Sequence, residues 1–428
     1  MTSSPRIAIV GLGYVGLPLA IALARHFEVV GFDMDKARTK ELLHGHDRTG
    51  EVSEAVLRAS RLAIVSEIEA IRGCQLFIAT VPTPVTEDKR PDLAAVRAAC
   101  RMIGSVIAKG AIVVLESTVY PGVTEEICRP EIAAASGLEG GVDFHVGYSP
   151  ERINPGDRLH TVDRIVKVVA GETPEVTERL AAIYGAINGG QIHAAKSIRT
   201  AEAAKVIENA QRDINIAFIN EAAMIFNKMG VSIHDVLATS STKWNFLPFL
   251  PGLVGGHCIG VDPFFLAHLA HSLGHDPEII LAGRRINDRM GAYVANEIAK
   301  ALGVRRSGAD GARILVLGLT FKENIPDLRN SKVVDLVRGL RARGHRVEVH
   351  DPFADPDEAN GLYGIDLLTN LAGVAGYDCV VGAVAHDEYR ALKPSDFARL
   401  LRTDGLVADV KGIWRGITLP AETGRWEL

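Results

Sequence analysis

The chain has 428 residues, 47% hydrophobic and 23% charged, an ordinary globular balance with room for two or three domains. Its formal net charge is −5, with no acidic or basic block, which argues against a nucleic-acid or membrane-surface partner; the arginines between Arg338 and Arg346 read as a solvated helix face. The 5 cysteines stand singly, without a Cys-x-x-Cys pair, so neither a disulfide framework nor a metal site is expected.

The chain enters a strand at Arg6, without a basic and apolar leader, and holds no apolar stretch long enough to span a bilayer. A cytoplasmic protein is the expectation. Arg6-Ile-Ala-Ile-Val10 reads as a buried strand, Leu17 to His26 as a helix and Glu28 to Asp33 as a second strand, which makes a right-handed β-α-β unit. Further strands are expected at Leu76–Thr80, Ala111–Leu115 and Arg164–Val169. This alternating α/β domain should run over residues 1–195.

Ile198 to Met229 reads as one long helix stopped by Gly230, with an apolar face at Ala203, Ile207, Ala210, Ile214 and Ala217. Helical pattern continues over Ile233–Leu237, Phe264–Ser272 and Ile279–Leu302, so residues 196–304 form a helical middle. Long helices between sheet domains often pack on a second copy, and a homodimer or larger homo-oligomer is expected. After the linker-like Arg305–Gly311, a second β-α-β occupies residues 305–428. Its strands are expected at Arg313–Gly318 and Arg346–His350 around a helix Ser331–Arg343, with later strands at Asp378–Gly382 and Gly405–Asp409.

Gly11, Gly13 and Gly16, with Leu12, Tyr14 and Val15 between them, follow a strand and open a helix. The first glycine permits the tight turn, the second admits a pyrophosphate, and the third lets helix and strand pack closely. The pyrophosphate would sit on the helix N-terminus. Asp33 ends the second strand, where it would accept the adenosine ribose hydroxyls and repel a 2′-phosphate, so NAD is the expected cofactor rather than NADP. Asp35 lies beyond the strand end and is the weaker ribose partner. Gly318-Leu-Thr-Phe-Lys-Glu-Asn324 lacks this glycine spacing and should not bind a second NAD, although Lys322 there suits a phosphate.

Cys258 lies in Pro251-Gly-Leu-Val-Gly-Gly-His-Cys-Ile-Gly-Val-Asp-Pro263. Glycines 255 and 256 would let a substrate approach the backbone and leave N–H groups facing an oxyanion. Asp262 falls one turn from Cys258 if the segment winds into a helix. The same thiol could equally be a small buried residue beside a turn. His257 could activate it, but adjacent side chains of an extended segment point apart, which favours packing. Lys205 and Asn209 are i,i+4 neighbours off the apolar stripe: one ligand could meet both, or both could lie on a solvated face with Glu202 and Arg212. Glu151, in the proline-bracketed Ser149–Pro155 loop, could be a base or a salt-bridged loop residue.

Taken together, Gly11–Gly16, Val81-Pro-Thr-Pro84, Glu116-Ser-Thr-Val119, Ser149-Pro-Glu-Arg152, the Glu202 to Asn209 helix segment, Gly255-Gly-His-Cys258 and Gly318 to Ser331 resemble the UDP-glucose/UDP-N-acetyl-hexosamine 6-dehydrogenase family, in order and over essentially the whole chain. The Gly255–Pro263 and Val81–Pro84 forms look like its N-acetylated-sugar branch. The resemblance implies two Rossmann-like doubly wound domains joined by a helical central domain with a long helix. It also implies a four-electron, NAD-dependent oxidation of the C6 hydroxyl of a UDP-N-acetylhexosamine, with UDP-N-acetylglucosamine the first expectation, in surface polysaccharide supply.

On that resemblance Cys258 is the nucleophile of a thiohemiacetal and a thioester, Lys205 and Asp262 orient the C6 oxygen and water, and Asn209 donates to the oxyanion. Glu151 is the general acid/base and Thr118 positions water. Gly11, Gly13, Tyr14, Val15, Gly16, Asp33, Thr83, Thr118 and Arg329 would hold NAD. Glu151, Arg152, Lys205, Asn209, Gly255 and Lys322 would hold substrate. The chain departs from the branch at Leu250, where a basic residue often contacts substrate, and Asp409–Arg415 matches the family's uridine-binding segment only loosely. Two other readings stay open: a two-electron hydroxyacid-type dehydrogenase without covalent catalysis, and a nucleotide-sugar or NAD sensor without turnover.

Overall fold

The computed structural model describes residues 4–152, 161–305 and 311–428. The end of the Ser149–Pro155 loop and most of the expected linker lie outside the described residues. The chain forms two compact units: Met1–Glu208 with Phe264–Asp276, and Asn209–Pro263 with Pro277–Leu428.

The first unit is built on strands β1 (Arg6–Val10), β2 (Glu28–Phe32), β3 (Ala63–Val65), β4 (Leu76–Ala79), β5 (Ile112–Leu115), β6 (His145–Tyr148), β7 (Lys167–Gly171) and β8 (Ile192–Ala194). They run in the order β3-β2-β1-β4-β5-β6-β7-β8. The first six are parallel in the doubly wound order. Both faces of that sheet are covered, which is why β1 reads as an unbroken apolar run: Ala8 and Val10 join one core layer, Ile7 and Ile9 the other. One expectation needs correction. The strand foreseen at Arg164 begins at Lys167, and it runs antiparallel to β6, with Tyr148 opposite Ala170.

The second unit holds β9 (Arg313–Leu317), β10 (Arg346–His350), β11 (Leu367–Leu368), β12 (Tyr377–Gly382), β13 (Leu401–Asp409) and β14 (Gly424–Glu427). All are parallel, in the order β11-β10-β9-β12-β13-β14, the same winding as the first six strands of the other sheet. Ile314 and Val316 pack on the layer of helices Val333–Arg341 and Glu278–Arg305; Leu315 and Leu317 face Phe397 and Trp414. The fold is thus two Rossmann-like sheets with helices between them in sequence.

The helix Ile198–Lys228 is 31 residues long and stops where expected, with Gly230 in the left-handed region at φ +70°. Its buried face matches the expected apolar stripe only in part, at Ala210 and Ala217. Ile207 is 59% exposed and Phe218 65%, whereas Glu202, Lys205, Asn209, Asp213 and Asn220 are buried. Partners make this possible. Asp213 takes hydrogen bonds from Arg284 and Asn287, and Asn220 from its own side bonds Asn287 and Gly252. A buried polar side chain with its hydrogen bonds made carries little penalty, and hydrophobic periodicity cannot register it.

Candidate active site

In the first unit, the turn after β1 has the geometry the three glycines predict. Gly11 takes φ +100°, and its N–H donates to the Phe32 carbonyl over 2.8 Å. A Cβ on Gly16 would lie 1.9 Å from the Gly11 carbonyl oxygen and 2.4 Å from Thr80 Oγ1, so this glycine is required for the helix Gly16–Ala24 to seat on the sheet. A Cβ on Gly13 would meet nothing within 4 Å. Open space there suits a pyrophosphate approaching the backbone, so the turn fits a dinucleotide. Tyr14 and Val15 are half-buried beside it. Asp33 ends β2 half-buried; one carboxylate oxygen accepts from Leu12 N–H at 2.8 Å and the other from Asp35 N–H at 2.9 Å. Each oxygen keeps a lone pair. Asp35 is committed elsewhere: it caps the helix Lys36–Leu43 through Ala37 N–H and pairs with Arg48.

Thr83 lies half-buried in the loop after β4, and Thr118 half-buried after β5. The loop that carries Thr118 is fastened by Glu202. This carboxylate, fully buried, accepts from Gly122 N–H, Thr124 N–H and Thr124 Oγ1 at 2.6, 2.9 and 2.7 Å. Burial lifts its carboxyl to about 7 against the pull of those donors. Glu202 and Lys205 are buried on the same helix, so a solvated face is not their setting. Glu151 is buried too: one oxygen accepts from Arg152 N–H at 2.6 Å, the other from Lys167 at 3.4 Å. The Arg152 guanidinium pairs with Glu208 at 2.8 Å.

In the second unit, the thiol loop is held at both ends. Asn220 Nδ2 donates to the Gly252 carbonyl at 3.0 Å, and Gly252 N–H returns a bond to Asn220 Oδ1 at 2.8 Å. At the other end the Cys258 carbonyl accepts from Asp262 N–H over 2.8 Å, so residues 258 and 262 do lie one helical turn apart. The helix Asp262–Ser272 starts there. Asp262 is buried and accepts from Asn209 Nδ2 at 2.5 Å. Asn209, expected as an oxyanion donor, therefore gives one amide hydrogen to Asp262. Cys258 itself is half-buried, whereas Cys74, Cys100, Cys128 and Cys379 are buried.

The glycines beside it also have a packing role. A Cβ on Gly255 would lie 2.7 Å from the Asn330 carbonyl oxygen, and one on Gly256, at φ +83°, 2.7 Å from the Phe321 ring. Both therefore admit the loop after β9. His257 packs edge-on to Phe321, with Nδ1 3.8 Å from Asp327; it does so from a turn over residues 256–260, not from the extended segment expected.

Lys322 lines a pocket with Gly255, Phe321, Lys332 and Lys411. Lys411 was not singled out from the sequence. Burial holds its ammonium below the ordinary lysine range. Its signal was the one basic residue inside Asp409-Val-Lys-Gly412. Arg329 is exposed and grips Asp327 through both carboxylate oxygens, the closest contact 2.5 Å. Leu250 is 60% exposed, while nearby Phe246 and Phe249 pack on Ile219 and Leu237.

A dinucleotide turn on one doubly wound sheet, and a fastened cysteine loop beside a lysine-lined pocket on the other unit, define a nucleotide-dependent dehydrogenase. Residues 5–188, 199–289 and 315–416 match the NAD binding, central and UDP binding domains of the UDP-glucose/GDP-mannose dehydrogenase family. The chain is 51% identical over 407 residues to a UDP-N-acetyl-D-glucosamine 6-dehydrogenase of Pseudomonas aeruginosa, covering 95% of this chain and 96% of that one. A UDP-N-acetyl-D-glucosamine 6-dehydrogenase of Salmonella typhi is 46% identical, with 97% of each chain covered. Among solved structures, a UDP-D-ManNAc dehydrogenase from Pyrococcus horikoshii superposes with a TM-score of 0.88 at 30% identity, covering 99% of this chain and 98% of that one. The chain belongs to the UDP-glucose/GDP-mannose dehydrogenase family, and it is an NAD-dependent UDP-sugar dehydrogenase.

Proposed function

We propose that this enzyme oxidises the C6 hydroxyl of UDP-N-acetylglucosamine to a carboxylate, using two NAD per sugar and Cys258 as a covalent tether. The observation that carries the reading is the half-buried Cys258 fixed one turn from Asp262, which itself holds Asn209. The names of the relatives at 51% and 46% identity support the sugar.

NAD, when bound, accepts a hydride from C6 in each of two oxidations. Gly11, Gly13, Gly16, Tyr14 and Val15 would hold its pyrophosphate, Asp33 its adenosine ribose, and Thr83, Thr118 and Arg329 the remainder. Lys322, Lys411 and Gly255 would take the UDP, and Arg152 the sugar side. Glu151 takes the C6 hydroxyl proton. The Cys258 thiolate adds to the resulting aldehyde carbon, which keeps a reactive intermediate from escaping. Lys205 and the second amide hydrogen of Asn209 would stabilise the thiohemiacetal oxygen. The second oxidation leaves a thioester. Glu151 has by then released its first proton to solvent; a water oriented by Asp262 and Thr118 attacks the thioester carbonyl carbon, Glu151 takes the water's proton, and the Cys258 thiolate departs from the carboxylic acid formed.

The test is stoichiometric. UDP-N-acetylglucosamine, its galacto and manno epimers and UDP-glucose are each incubated with NAD. Two NADH per UDP-N-acetylglucosamine, faster than with the epimers, is the expected result. One NADH per sugar, or no NADH with any, would overturn the reading.

The same proposal takes the chain as a cytoplasmic homodimer or larger homo-oligomer, with domains at 1–195, 196–304 and 305–428. Exposed Phe218 and Ile225 on the long helix, 65% and 53%, support association. Light scattering that returns a 45.9 kDa monomer at all concentrations would end that part of it.

A further inference from the structure

Lys167 has no part in the reaction as written, yet it is a buried lysine against the residue proposed as base. Its side chain is 2% exposed, and Nζ lies 2.8 Å from Glu116 Oε2 and 3.4 Å from Glu151 Oε2. The other oxygen of Glu116 accepts the Tyr184 hydroxyl, and the Tyr184 ring lies 5.4 Å from Nζ. Burial pushes the Glu116 carboxyl up, Lys167 opposes it and Glu151 adds to it. Burial also works against the Lys167 ammonium, but the two carboxylates outweigh it and its proton is held more tightly than usual.

The placement comes from the antiparallel pairing of β6 and β7. That register pairs Tyr148 with Ala170, and continued three residues further it sets Glu151 opposite Lys167. Glu116 ends β5 on the neighbouring strand, and Ser149 Oγ ties the start of the Glu151 loop to the Val168 carbonyl at 2.8 Å. Among the described residues the other ionisable neighbours are the Tyr184 hydroxyl, Arg152, whose backbone N–H donates to Glu151, and Glu51, whose carboxyl burial, Asp47 and Glu151 all push up. Two buried carboxylates on one lysine are a poor source of stability, because desolvation offsets the attraction and apolar residues would pack as well. The arrangement makes sense if the carboxylate at its open end, Glu151 at 10% side-chain exposure, has to be an oriented anion.

We propose that Lys167 is a positioning residue: it divides its charge between Glu116 and Glu151 and so holds the Glu151 carboxylate aimed for proton transfer. This rests on Glu151 being the general base. The test is kcat against pH, with UDP-N-acetylglucosamine and NAD, for the wild type, Lys167→Met, Glu116→Gln and Glu151→Gln. Without the lysine, two facing carboxylates retain a proton to higher pH, so the acid limb for Lys167→Met should move up by about one pH unit. Turnover should recover at high pH, and KM for NAD should not change. Glu116→Gln leaves the whole lysine charge to Glu151 and should move the limb down. If Lys167→Met does not fold, Glu116→Gln alone decides, and an unmoved limb in it overturns the proposal. An unmoved limb in Lys167→Met, with Glu151→Gln inactive, makes the lysine structural and leaves the base assignment standing. Wild-type turnover in Glu151→Gln instead overturns the base assignment itself.

Discussion

Asp33 and Asp351 stand at the same point of two sheets and do opposite things. Each follows the second strand of its β-α-β unit, and each accepts the N–H of the residue after a glycine at φ +100°: Leu12 to Asp33 at 2.8 Å, Leu319 to Asp351 at 2.6 Å. Asp33 is half-buried and keeps lone pairs for a ligand. Asp351 is 5% exposed, and one of its oxygens is already taken by Thr320 N–H, Thr320 Oγ1 and His386 Nε2. Asn324 N–H donates to His386 Nδ1 at 2.9 Å, which makes that nitrogen the acceptor and Nε2 the donor. The second aspartate thus fastens the loop carrying Lys322, where the first would hold a ribose.

Asp33→Ser should raise KM for NAD about tenfold or more, the loss of hydrogen bonds to a charged acceptor, and narrow the preference over NADP. Steady-state kinetics with both cofactors check this. An unchanged preference would remove Asp33 from the ribose site.

Gly13 and Gly16 separate binding from folding. Gly13→Ala meets open space, so its melting temperature should match the wild type while KM for NAD rises about tenfold. Gly16→Ala drives a methyl into the Gly11 carbonyl and should cost several kcal/mol, with little soluble protein recovered. Calorimetry and NAD titration on the pair read both effects. Equal behaviour of the two variants would contradict the turn geometry.

Cys258→Ser should lower steady NADH formation at least about a thousandfold while NAD affinity stays put, since the cysteine loop lies in the other unit from the dinucleotide turn. Mass spectrometry of wild type quenched during turnover should find a sugar adduct on Cys258. Two NADH per sugar from the serine variant at wild-type rate would sink the covalent route.

Two buried carboxyls give opposite pH signatures. At Asp351 burial works upward, but the hydrogen bonds from His386 and from the Leu319 and Thr320 amides bring the carboxyl down to about 2. A folded value below the unfolded one gives stability that is complete above about pH 4 and lost as pH falls towards 2, roughly 2.5 kcal/mol. Glu202 runs the other way. Its value of about 7 lies above the ordinary 4.5, so its contribution is complete below about pH 4.5 and lost as pH rises through 7. Chemical denaturation across pH 2 to 8 should therefore lose its acid slope in Asp351→Asn and its neutral slope in Glu202→Gln.

The unbroken apolar run of β1 was legible because both faces of a parallel sheet are buried; β1, and β10 with its alternating Val347 and Val349, begin and end where the pattern says. Short β3, β8 and β11 carry too few residues for such a signal, and β6 and β14, as long as β4 and β5, lack their unbroken apolar run because His145, Gly147, Gly424, Arg425 and Glu427 interrupt it. The long helix was placed almost to the residue. Its buried face was placed only in part, because Glu202, Asp213 and Asn220 are buried by hydrogen bonding rather than by hydrophobicity.

The sequence by itself determined the dinucleotide turn, the place of Cys258 in its glycine-rich loop and the family. Those depend on residue types at fixed short spacing, where the reach of the backbone leaves little freedom. Only the tertiary structure decided what each polar group answers to. It set Lys167 under Glu151 through one antiparallel strand, used Gly255 and Gly256 to admit Phe321 and Asn330, and left Asp33 open while closing Asp351. Such pairings depend on strand register and on side chains far apart in the chain, and no local pattern encodes them.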